Sequence, residues 1–282
     1  MDDRWRLPET ARLGRVALTA SDLDAMIDFY RNIVGLRVQR KGDSSAVLGA
    51  GCTPLLVLLG DADAPPRRRE QAGLFHTAFK VPNRADLGAA LERIESDWKL
   101  TGAADHYVSE ALYLDDPEGN GVEIYRDLPE ESWPRNDDGT IGIGTAPLDL
   151  EPIMAASDDA ESAPDGTIIG HVHLEVSSLE ATREFYVDTV GLGVKTELDS
   201  ALFLAAGEYH HHLGANTWNR RSEPAGGRGL AWFEIVVPEQ PTVTDLRRRL
   251  EAGGFSTEAL DVGFSVTDAN GIEIRFRREG AQ

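Results

Sequence analysis

The sequence predicts an α+β fold built from four related strand–helix–strands modules. The segment Arg15-Val-Ala-Leu-Thr-Ala-Ser-Asp-Leu recurs as His171-Val-His-Leu-Glu-Val-Ser-Ser-Leu, an offset of 171 − 15 = 156 residues. Residues 74–82 (LFHTAFKVP) are matched in the same way by residues 230–238 (LAWFEIVVP). Self-similarity at a fixed spacing marks repeated supersecondary units. Four strand starts, each followed by a helical segment, therefore indicate four modules.

Each module is predicted to begin with a strand, continue with a helix and finish with further strands. The helices of modules one and three have Ser or Asp near their start and end at Gly35 and Gly191, which are start and stop signals for a helix. The helices of modules two and four are expected at 85–94 and 243–251. The later strands are expected at 45–48 and 55–59 in module one and at 201–205 and 209–216 in module three.

The last strands of module two are predicted to form a hairpin within residues 106–125 (HYVSEALYLDDPEGNGVEIY). An apolar strand at 111–114 leads into the turn Asp116-Pro-Glu-Gly-Asn-Gly, and such turn residues between alternating strands favour a hairpin. Glu123 then lies at a defined place on a strand. Asn120-Gly-Val-Glu resembles Asn270-Gly-Ile-Glu in module four, so we interpret Glu123 and Glu273 as equivalent.

These elements predict two halves joined by a linker. Residues 1–127 hold the N-terminal pair of modules, at about 10–62 and 72–127, and residues 167–282 hold the C-terminal pair, at about 167–220 and 228–279. Residues 128–166 are rich in Asp, Pro, Ser and Gly, as linkers are. The apolar stretch 148–154 predicts local order within this linker.

The charge balance excludes several classes of partner. The chain has 48 acidic and 28 basic residues and a net charge of −20, which would repel nucleic acid and anionic lipid. Lysine occurs only at Lys41, Lys80, Lys99 and Lys195. An acidic, lysine-poor surface is typical of proteins from high-salt cytoplasm, where cations screen the self-repulsion. We therefore hypothesise a halophilic protein that binds neither nucleic acid nor membrane.

Two further observations concern compartment and metal chemistry. No apolar run approaches the roughly 18 residues of a membrane span, and the N-terminus MDDRWRLPETAR lacks the layout of a signal peptide. We expect a soluble, cytoplasmic protein. Cys52 is the only cysteine, so a thiolate cluster is excluded and any metal must be bound by His and carboxylate.

All seven histidines fall inside the predicted modules, and their concentration beside a carboxylate indicates a site. They are His76, His106, His171, His173, His210, His211 and His212. The first strands of modules one to four carry, at equivalent positions, Arg15, His76, His171 and Trp232. Pairing of neighbouring modules would give no complete ligand set.

Pairing of module two with module three would bring together His76, His171 and Glu123. Two histidines and one carboxylate on one face leave positions open for substrate and O2, as non-haem Fe(II) oxygenases require. The remaining pair of modules would hold Arg15, Trp232 and Glu273, which cannot chelate, and we predict a structural, metal-free cup there. The sequence leaves open whether modules two and three pair within one chain or between chains.

Over nearly its whole length the chain resembles the vicinal-oxygen-chelate superfamily and, within it, the type I extradiol ring-cleaving dioxygenases, particularly the bacterial catechol 2,3-dioxygenases. The resemblance rests on Phe75-His76-Thr-Ala-Phe, on Gly170-His171, on the triple histidine followed by Leu-Gly-Ala-Asn-Thr-Trp, and on the hairpin at 106–125. It implies βαβββ modules that form two cup-shaped β-sheets with flanking helices. Many relatives build the metal site within the C-terminal half, whereas here Trp232 replaces the histidine which that half would need.

The resemblance also implies the chemistry of the site. His76, His171 and Glu123 match the family's ligands for Fe(II), with Mn(II) as an alternative. His211 matches the acid/base histidine, and His106 and Tyr113 match a histidine and a tyrosine that contact the substrate oxygens. The implied activity is extradiol cleavage of a small aromatic diol by O2, with a 2-hydroxymuconic semialdehyde-type product, and we expect a homo-oligomer.

Some alternatives stay open at this point. Adjacent residues of a strand point to opposite faces, so either His211 or the pair His210 and His212 would face the site; motif register favours His211. His173 shares a face with His171, and we interpret it as a pocket-lining residue. A glyoxalase-like isomerase or hydrolase using Ni or Zn, and a non-enzymatic binding protein of the bleomycin-resistance type, are rival functions on the same fold.

Overall fold

The structure, a computed structural model, describes residues 5–137 and 139–280. It confirms the α+β class, because each predicted module contains a leading strand, a helix and further strands. The elements of module one are β1 (Arg12–Ala20), α1 (Leu23–Asn32), β2 (Arg37–Lys41), β3 (Ser45–Ala50) and β4 (Thr53–Gly60). Those of module two are β5 (Gly73–Lys80), α2 (Arg84–Asp97), β6 (Gly102–Asp105), β7 (Ser109–Asp115) and β8 (Gly121–Asp127).

The segment 128–166 contains short elements of its own. It includes a 3-10 turn (Glu130–Ser132), the two-residue strand β9 (Ala146–Pro147) and the short helix α3 (Glu151–Met154). Ile153 of α3 is fully buried, which agrees with the order expected at 148–154. Strand β9 pairs with β6, with Ala104 opposite Pro147 and Asp105 opposite Ala146. The segment therefore adds an edge strand to module two.

Modules three and four repeat the plan. Module three consists of β10 (Ile168–Glu175), α4 (Leu179–Arg183), which continues as a π-helical stretch (Glu184–Thr189), β11 (Gly193–Leu198), β12 (Ala201–Ala205) and β13 (Leu213–Asn216). Module four consists of β14 (Gly229–Val237), α5 (Gln240–Ala252), β15 (Thr257–Ala259), β16 (Phe264–Thr267) and β17 (Glu273–Arg278). Among the described residues, no helix combines the length and the apolar character needed to cross a membrane.

The strands form two mixed sheets. The hydrogen-bonded order is β15-β16-β17-β14-β1-β4-β3-β2 in the eight-stranded sheet and β11-β12-β13-β10-β5-β8-β7-β6-β9 in the nine-stranded sheet. Modules one and four thus supply one sheet, and modules two and three supply the other together with β9. The strand order agrees with the pairing of module two with module three. Within a module the first strand runs parallel to the last, as β5 does to β8 and β14 to β17.

By contact density the chain divides into two compact units. One comprises the described residues up to Val16, Pro65–Leu74 and the residues from His171 onward, and the other comprises Ala17–Ala64 and Phe75–Gly170. The first unit contains a buried ion cluster, in which Glu175 lies 3.0 Å from Arg67 and 2.6 Å from Arg221. A buried carboxylate is tolerated when cations and hydrogen bonds compensate it in this way. The cluster ties the 65–74 segment to strand β10.

Helix signals in the sequence act as predicted. Asp22 caps α1 by accepting a hydrogen bond from the Ala25 amide at 3.0 Å, and Asn83 caps α2 through the amides of Ala85 and Asp86, because the first amides of a helix lack partners within it. Gly35 and Gly191 follow their helices with φ of +87° and +89°, the left-handed conformation in which glycine ends helices.

In each half of the chain, a buried tyrosine on the first helix donates a hydrogen bond to a turn. The hydroxyl of Tyr30 donates to Oδ2 of Asp116 at 3.0 Å, and that of Tyr186 donates to Oδ2 of Asp268 at 3.0 Å. Burial raises the pKa of both carboxyls, while their hydrogen bonds oppose that rise. The same device therefore fixes the turn before the last strand in modules two and four.

One predicted strand is too long. We expected a strand over 209–216, but β13 begins at Leu213 and His210, His211 and His212 lie in the loop that precedes it. Hydrogen bonds link the loop to the strands, with the His212 amide donating to Leu204 and the Val172 amide donating to His212. The alternation of faces in a strand consequently does not decide where these histidines point.

Candidate active site

The hairpin of β7 and β8 places Glu123 beside His76 of the parallel strand β5. In the register of β5 and β8, His76 lies opposite Gly121 and Ala78 opposite Glu123. Nε2 of His76 is 3.0 Å from Oε2 of Glu123, and the two side chains are 8% and 2% exposed. A buried carboxylate is costly unless a donor or a cation compensates it, and the imidazole here is such a donor.

His171 of β10 completes a group of potential metal ligands. One ligand atom from each of His76, Glu123 and His171 lies within 4.8 Å of the other two, and all three residues are buried. Divalent ions bind imidazole and carboxylate at about 2.0–2.2 Å, so the spacing is close to what a single ion needs. Two imidazoles and one carboxylate suit a first-row divalent metal with open coordination positions. The residues present therefore fit the metal that the sequence predicts.

The glycine before His171 has a steric reason. A Cβ atom at Gly170 would lie only 1.8 Å from the hydroxyl oxygen of Tyr125, far inside contact distance. Tyr125 is fully buried and packs with Ala78 and Ala111. A glycine is thus required at residue 170, where β10 passes the Tyr125 ring.

His106 and Tyr113 form a hydrogen-bonded pair that leads to Glu123. Nε2 of His106 is 2.7 Å from the Tyr113 hydroxyl, and Nδ1 of His106 is 2.7 Å from the carbonyl oxygen of Gly144. Tyr113 lies opposite Glu123 across β7 and β8. Burial, followed by the charge and hydrogen bond of Glu123, raises the pKa of the Tyr113 phenol well above its ordinary value of 10.0. Tyr113 consequently stays protonated and can act as a hydrogen-bond donor.

The three consecutive histidines have two kinds of surroundings, one for His210 and His211 and another for His212. The ring of His211 lies 4.2 Å from that of His171 between centroids, while the ring of His210 lies 6.5 Å from it. Nδ1 of His210 and Nδ1 of His211 are 2.8 Å apart. Nδ1 of His212 instead accepts the Ala206 amide at 3.2 Å. His211 is thus nearer to His171 than His210 is.

His173 is buried but belongs to a different set of contacts. The amide of Asn216 lies 3.1 Å from Nε2 of His173, and the rings of Phe203 and Trp218 lie 5.7 and 5.5 Å from the imidazole. His173 is not part of the ligand group. The interpretation of His173 as a pocket-lining side chain stays a prediction.

The eight-stranded sheet carries a different set at the corresponding strand positions. Arg15 corresponds to His171 and Trp232 to His76, each at an offset of 156 residues. The Arg15 guanidinium lies 5.7 Å, and the Arg275 guanidinium 4.1 Å, from the centre of the Trp232 ring. These are cation–π distances. An arginine–tryptophan stack thus stands where the other sheet carries its histidines and carboxylate.

The equivalence of Glu123 with Glu273 is wrong. Gly121 lies opposite His76 and Asp115, whereas Glu273 lies opposite Trp232 and Thr267. Gly121 and Glu273 are therefore counterparts, and two residues further along the strand Glu123 corresponds to Arg275. The repeated letters Asn-Gly-x-Glu are out of register by two residues.

Hydrogen bonds in the turns confirm the corrected register. The amide and hydroxyl of Ser21 donate to Glu118 at 2.7 and 2.9 Å, and those of Ser177 donate to Asn270, both at 3.0 Å. Glu118 and Asn270 therefore hold the same position. The counterpart of Glu123 is a cation, which supports the expectation that this sheet holds no metal.

Sequence reasoning missed two residues that the structure brings into contact with predicted ones, Arg275 with Trp232 and Gly144 with His106. Arg275 has no motif, and only the strand register reveals it. Gly144 contributes a backbone carbonyl from the segment between the halves, and nothing in a sequence marks a carbonyl oxygen as functional.

Comparisons with known proteins identify the family of this chain. The family model described as the Glyoxalase/Bleomycin resistance protein/Dioxygenase superfamily matches residues 12–124 and 168–276. A Catechol-2,3-dioxygenase from Bacillus subtilis (strain 168) is 36% identical over 95% of this chain and 98% of its own. A Biphenyl-2,3-diol 1,2-dioxygenase from Rhodococcus globerulus is 27% identical over 62% of this chain and 93% of its own.

Solved structures show the same fold. A protein from Bacillus subtilis subsp. subtilis str. 168 matches with a TM-score of 0.67 at 14% identity, over 98% of this chain and 87% of its own. Glyoxalase I from Zea mays matches with a TM-score of 0.59 at 16% identity, over 95% and 92%. The chain belongs to the Glyoxalase/Bleomycin resistance protein/Dioxygenase superfamily, within its extradiol ring-cleaving dioxygenases. It is an enzyme of the catechol-2,3-dioxygenase type.

Proposed function

We propose that the protein catalyses Fe(II)-dependent extradiol (meta) cleavage of a catechol by O2, giving a 2-hydroxymuconic semialdehyde-type product. The observation that carries the proposal is the convergence of His76, Glu123 and His171 within 4.8 Å. Both atoms of O2 enter the product, and the ring bond that breaks lies beside the two hydroxyls. Identity to the Bacillus subtilis enzyme over nearly the whole chain supports the same reaction class.

Each residue has a definite task in this proposal. His76, Glu123 and His171 would hold the metal, which supplies, when bound, the open positions for catechol and O2 and the electron transfer between them. His211 accepts a proton from a substrate hydroxyl and returns it later, as a positioned imidazole can in general acid–base catalysis. His106 and Tyr113, which share a hydrogen bond, act together on the substrate oxygens, where preorganised hydrogen-bonding groups stabilise the charge that develops.

The burial of these side chains supports the proposed roles. His76, Glu123, His171 and His211 are each at most 8% exposed, so bulk water is largely excluded from the ligand atoms. Hydrogen bonds and charges act more strongly in such a site than in water. Imidazole and carboxylate ligands bind both Fe(II) and Mn(II). We propose Fe(II) as the ion, with Mn(II) as the alternative.

The decisive experiment is metal reconstitution followed by an oxygen assay. The metal-free protein is loaded anaerobically with Fe(II), Mn(II), Ni(II) or Zn(II) in separate samples, and O2 uptake and the yellow ring-opened product are measured with catechol. We expect uptake and colour in equal amounts with Fe(II) or Mn(II) and neither with Ni(II) or Zn(II). Protein that binds Fe(II) stoichiometrically but consumes no O2 with any catechol would contradict the proposal. Isomerase activity with Ni(II) or Zn(II) would favour the glyoxalase-like alternative.

A further inference from the structure

We propose that Gly144 is a positioning residue for ring cleavage, because its carbonyl oxygen fixes the tautomer and orientation of His106. This inference rests on the proposed function, in which His106 and Tyr113 act on the substrate oxygens. It assigns a role to the segment between the two halves, which otherwise would be a linker.

The hydrogen-bond geometry defines the tautomer. A carbonyl oxygen only accepts hydrogen bonds, so Nδ1 of His106, at 2.7 Å from the Gly144 oxygen, carries the proton. In a ring with one proton, Nε2 is then a lone-pair acceptor facing the Tyr113 hydroxyl at 2.7 Å. Which nitrogen of a histidine is protonated is set by the partner of the other one. Gly144 therefore makes His106 an acceptor on the side of Tyr113.

The segment that carries Gly144 is fixed beside His106. Strand β9 pairs with β6 directly before His106. The Gly144 amide donates to the His106 carbonyl at 3.3 Å, and the Thr145 hydroxyl lies 3.3 Å from Nδ1 of His106. The segment that carries Gly144 thus contacts His106 through both its backbone and its ring. These contacts fix the orientation of the His106 ring relative to that segment.

A glycine is needed at this position because of Tyr107. A Cβ atom at residue 144 would lie 2.2 Å from Cε2 and 2.6 Å from Cδ2 of the Tyr107 ring. Tyr107 has a φ of +67° and its amide donates to Oδ1 of Asp105 at 2.7 Å. A non-glycine residue with positive φ is strained unless its surroundings hold it. The close approach of Gly144 and Tyr107 is what brings the carbonyl to His106.

The consequence is a directed chain of hydrogen bonds. Gly144 accepts from His106, and Nε2 of His106 accepts the one Tyr113 proton, for which the Glu123 carboxylate is the competing acceptor. If His106 carried its proton on Nε2, two donors would face each other and the phenol would have to turn. Gly144 acts through His106 and does not touch the reacting atoms.

The test combines a graded series with a rescue. Gly144→Ala meets the half-exposed Tyr107 ring, which can partly move, and Gly144→Val meets it more severely. We expect kcat to fall about 3-fold and about 10-fold respectively, the second value being the low end of what losing an orienting partner of a histidine costs. KM and metal content should change little. Adding Tyr107→Gly to Gly144→Val removes the ring and should restore kcat. Gly142→Ala in the same segment, which meets only Asn136 and Pro134 at 3.3 Å or more, is the matched control.

A readout on metal-free protein separates this proposal from the proposed function. Nitrogen-15 NMR of His106 should show Nδ1 protonated and Nε2 unprotonated in the wild type, a mixture in Gly144→Val, and the wild-type pattern in the rescued variant. An Nε2-protonated ring in the wild type would overturn the inference, as would a lower kcat in Gly144→Val with the tautomer unchanged. If the tautomer behaves as expected and ring cleavage is absent, the proposed function fails while the role of Gly144 in orienting His106 stands.

Discussion

Nε2 of His76 lies 3.0 Å from Oε2 of Glu123, and both side chains are almost fully buried. The contact brings an imidazole and a carboxylate from parallel strands to one point. The histidine donates to the carboxylate, and together with His171 these two side chains would hold a divalent ion.

The first prediction is therefore that replacing any member of the ligand group by alanine abolishes metal retention. His76→Ala, His171→Ala and Glu123→Ala should each weaken Fe(II) binding roughly 100-fold or more, beyond the 10–100-fold that loss of an outer partner costs. Metal content after dialysis measures this directly. Glu273→Ala, which removes a carboxylate from the last strand of the other sheet, is the control and should retain the ion, so loss of iron in that variant would show that the ligand group is misassigned.

The second prediction concerns the stack of Arg275 on Trp232, at 4.1 Å. Arg275→Ala should lower the free energy of unfolding by about 0.5–1 kcal/mol, as expected for a partly exposed cation–π pair, and should leave metal content unchanged. Urea unfolding measures the loss. Arg278→Ala at the exposed end of the same strand is the control and should be close to neutral. A fall in bound iron in the Arg275 variant would contradict the assignment of a metal-free sheet.

Much of the fold follows from the repeat. Because Arg15 and His171 begin copies of one pattern, their strands, helices and the glycines that end those helices could be predicted from the sequence. The pairing of modules two and three followed from ligand chemistry, since only that pairing gathers His76, Glu123 and His171. Local sequence patterns and the ligand preferences of metals are thus sufficient to predict the part of the candidate site that lies on regular strands.

Other parts could not be predicted, for physical reasons. Glu123 and Glu273 share a four-residue motif, yet strand register depends on the turn hydrogen bonds of Glu118 and Asn270, which the motif does not encode. His211 lies in a loop whose path depends on tertiary contacts. The Gly144 carbonyl belongs to the backbone, so residue identity carries no trace of its role.

The third prediction follows from the buried Tyr30–Asp116 pair. Burial raises the pKa of Asp116 above its ordinary 3.8, and the Tyr30 hydroxyl opposes that rise. A carboxyl with a raised folded-state pKa gives stability that is complete below its unfolded pKa and is lost as pH rises through the folded pKa. Tyr30→Phe raises the folded pKa further, so the variant loses additional stability over that window.

We therefore expect Tyr30→Phe to cost about 1 kcal/mol while Asp116 is protonated and about 1.5–3 kcal/mol once it is ionised, since hydrogen bonds to charged groups are stronger. Urea unfolding at several pH values from 3.8 upward measures the difference. Tyr186→Phe, which breaks the same bond to Asp268, should show the same trend. A cost that stays constant or shrinks with rising pH would contradict the argument.

The fourth prediction concerns salt. With a net charge of −20, self-repulsion destabilises the compact state at low ionic strength, where the Debye length is about 30 Å at 0.01 M and about 3 Å at 1 M. The Tm should rise by several degrees as KCl increases, each kcal/mol gained corresponding to roughly 2–4 °C. Thermal unfolding from 0.01 to 1 M KCl tests this, and full stability in dilute buffer would refute the halophilic hypothesis.

The fifth prediction distinguishes the neighbouring histidines of the loop before β13. The ring of His211 lies 4.2 Å from that of His171, whereas Nδ1 of His212 accepts the Ala206 amide. His211→Ala should therefore lower kcat by about 10²–10⁴-fold, the range for loss of a general acid–base, with iron retained. His212→Ala should cost about 1 kcal/mol of stability through the lost hydrogen bond while kcat stays near the wild-type value. Steady-state O2 uptake, iron content and urea unfolding distinguish the two variants. A larger loss of kcat in the His212 variant than in the His211 variant would contradict the assignment of His211 as the acid–base residue.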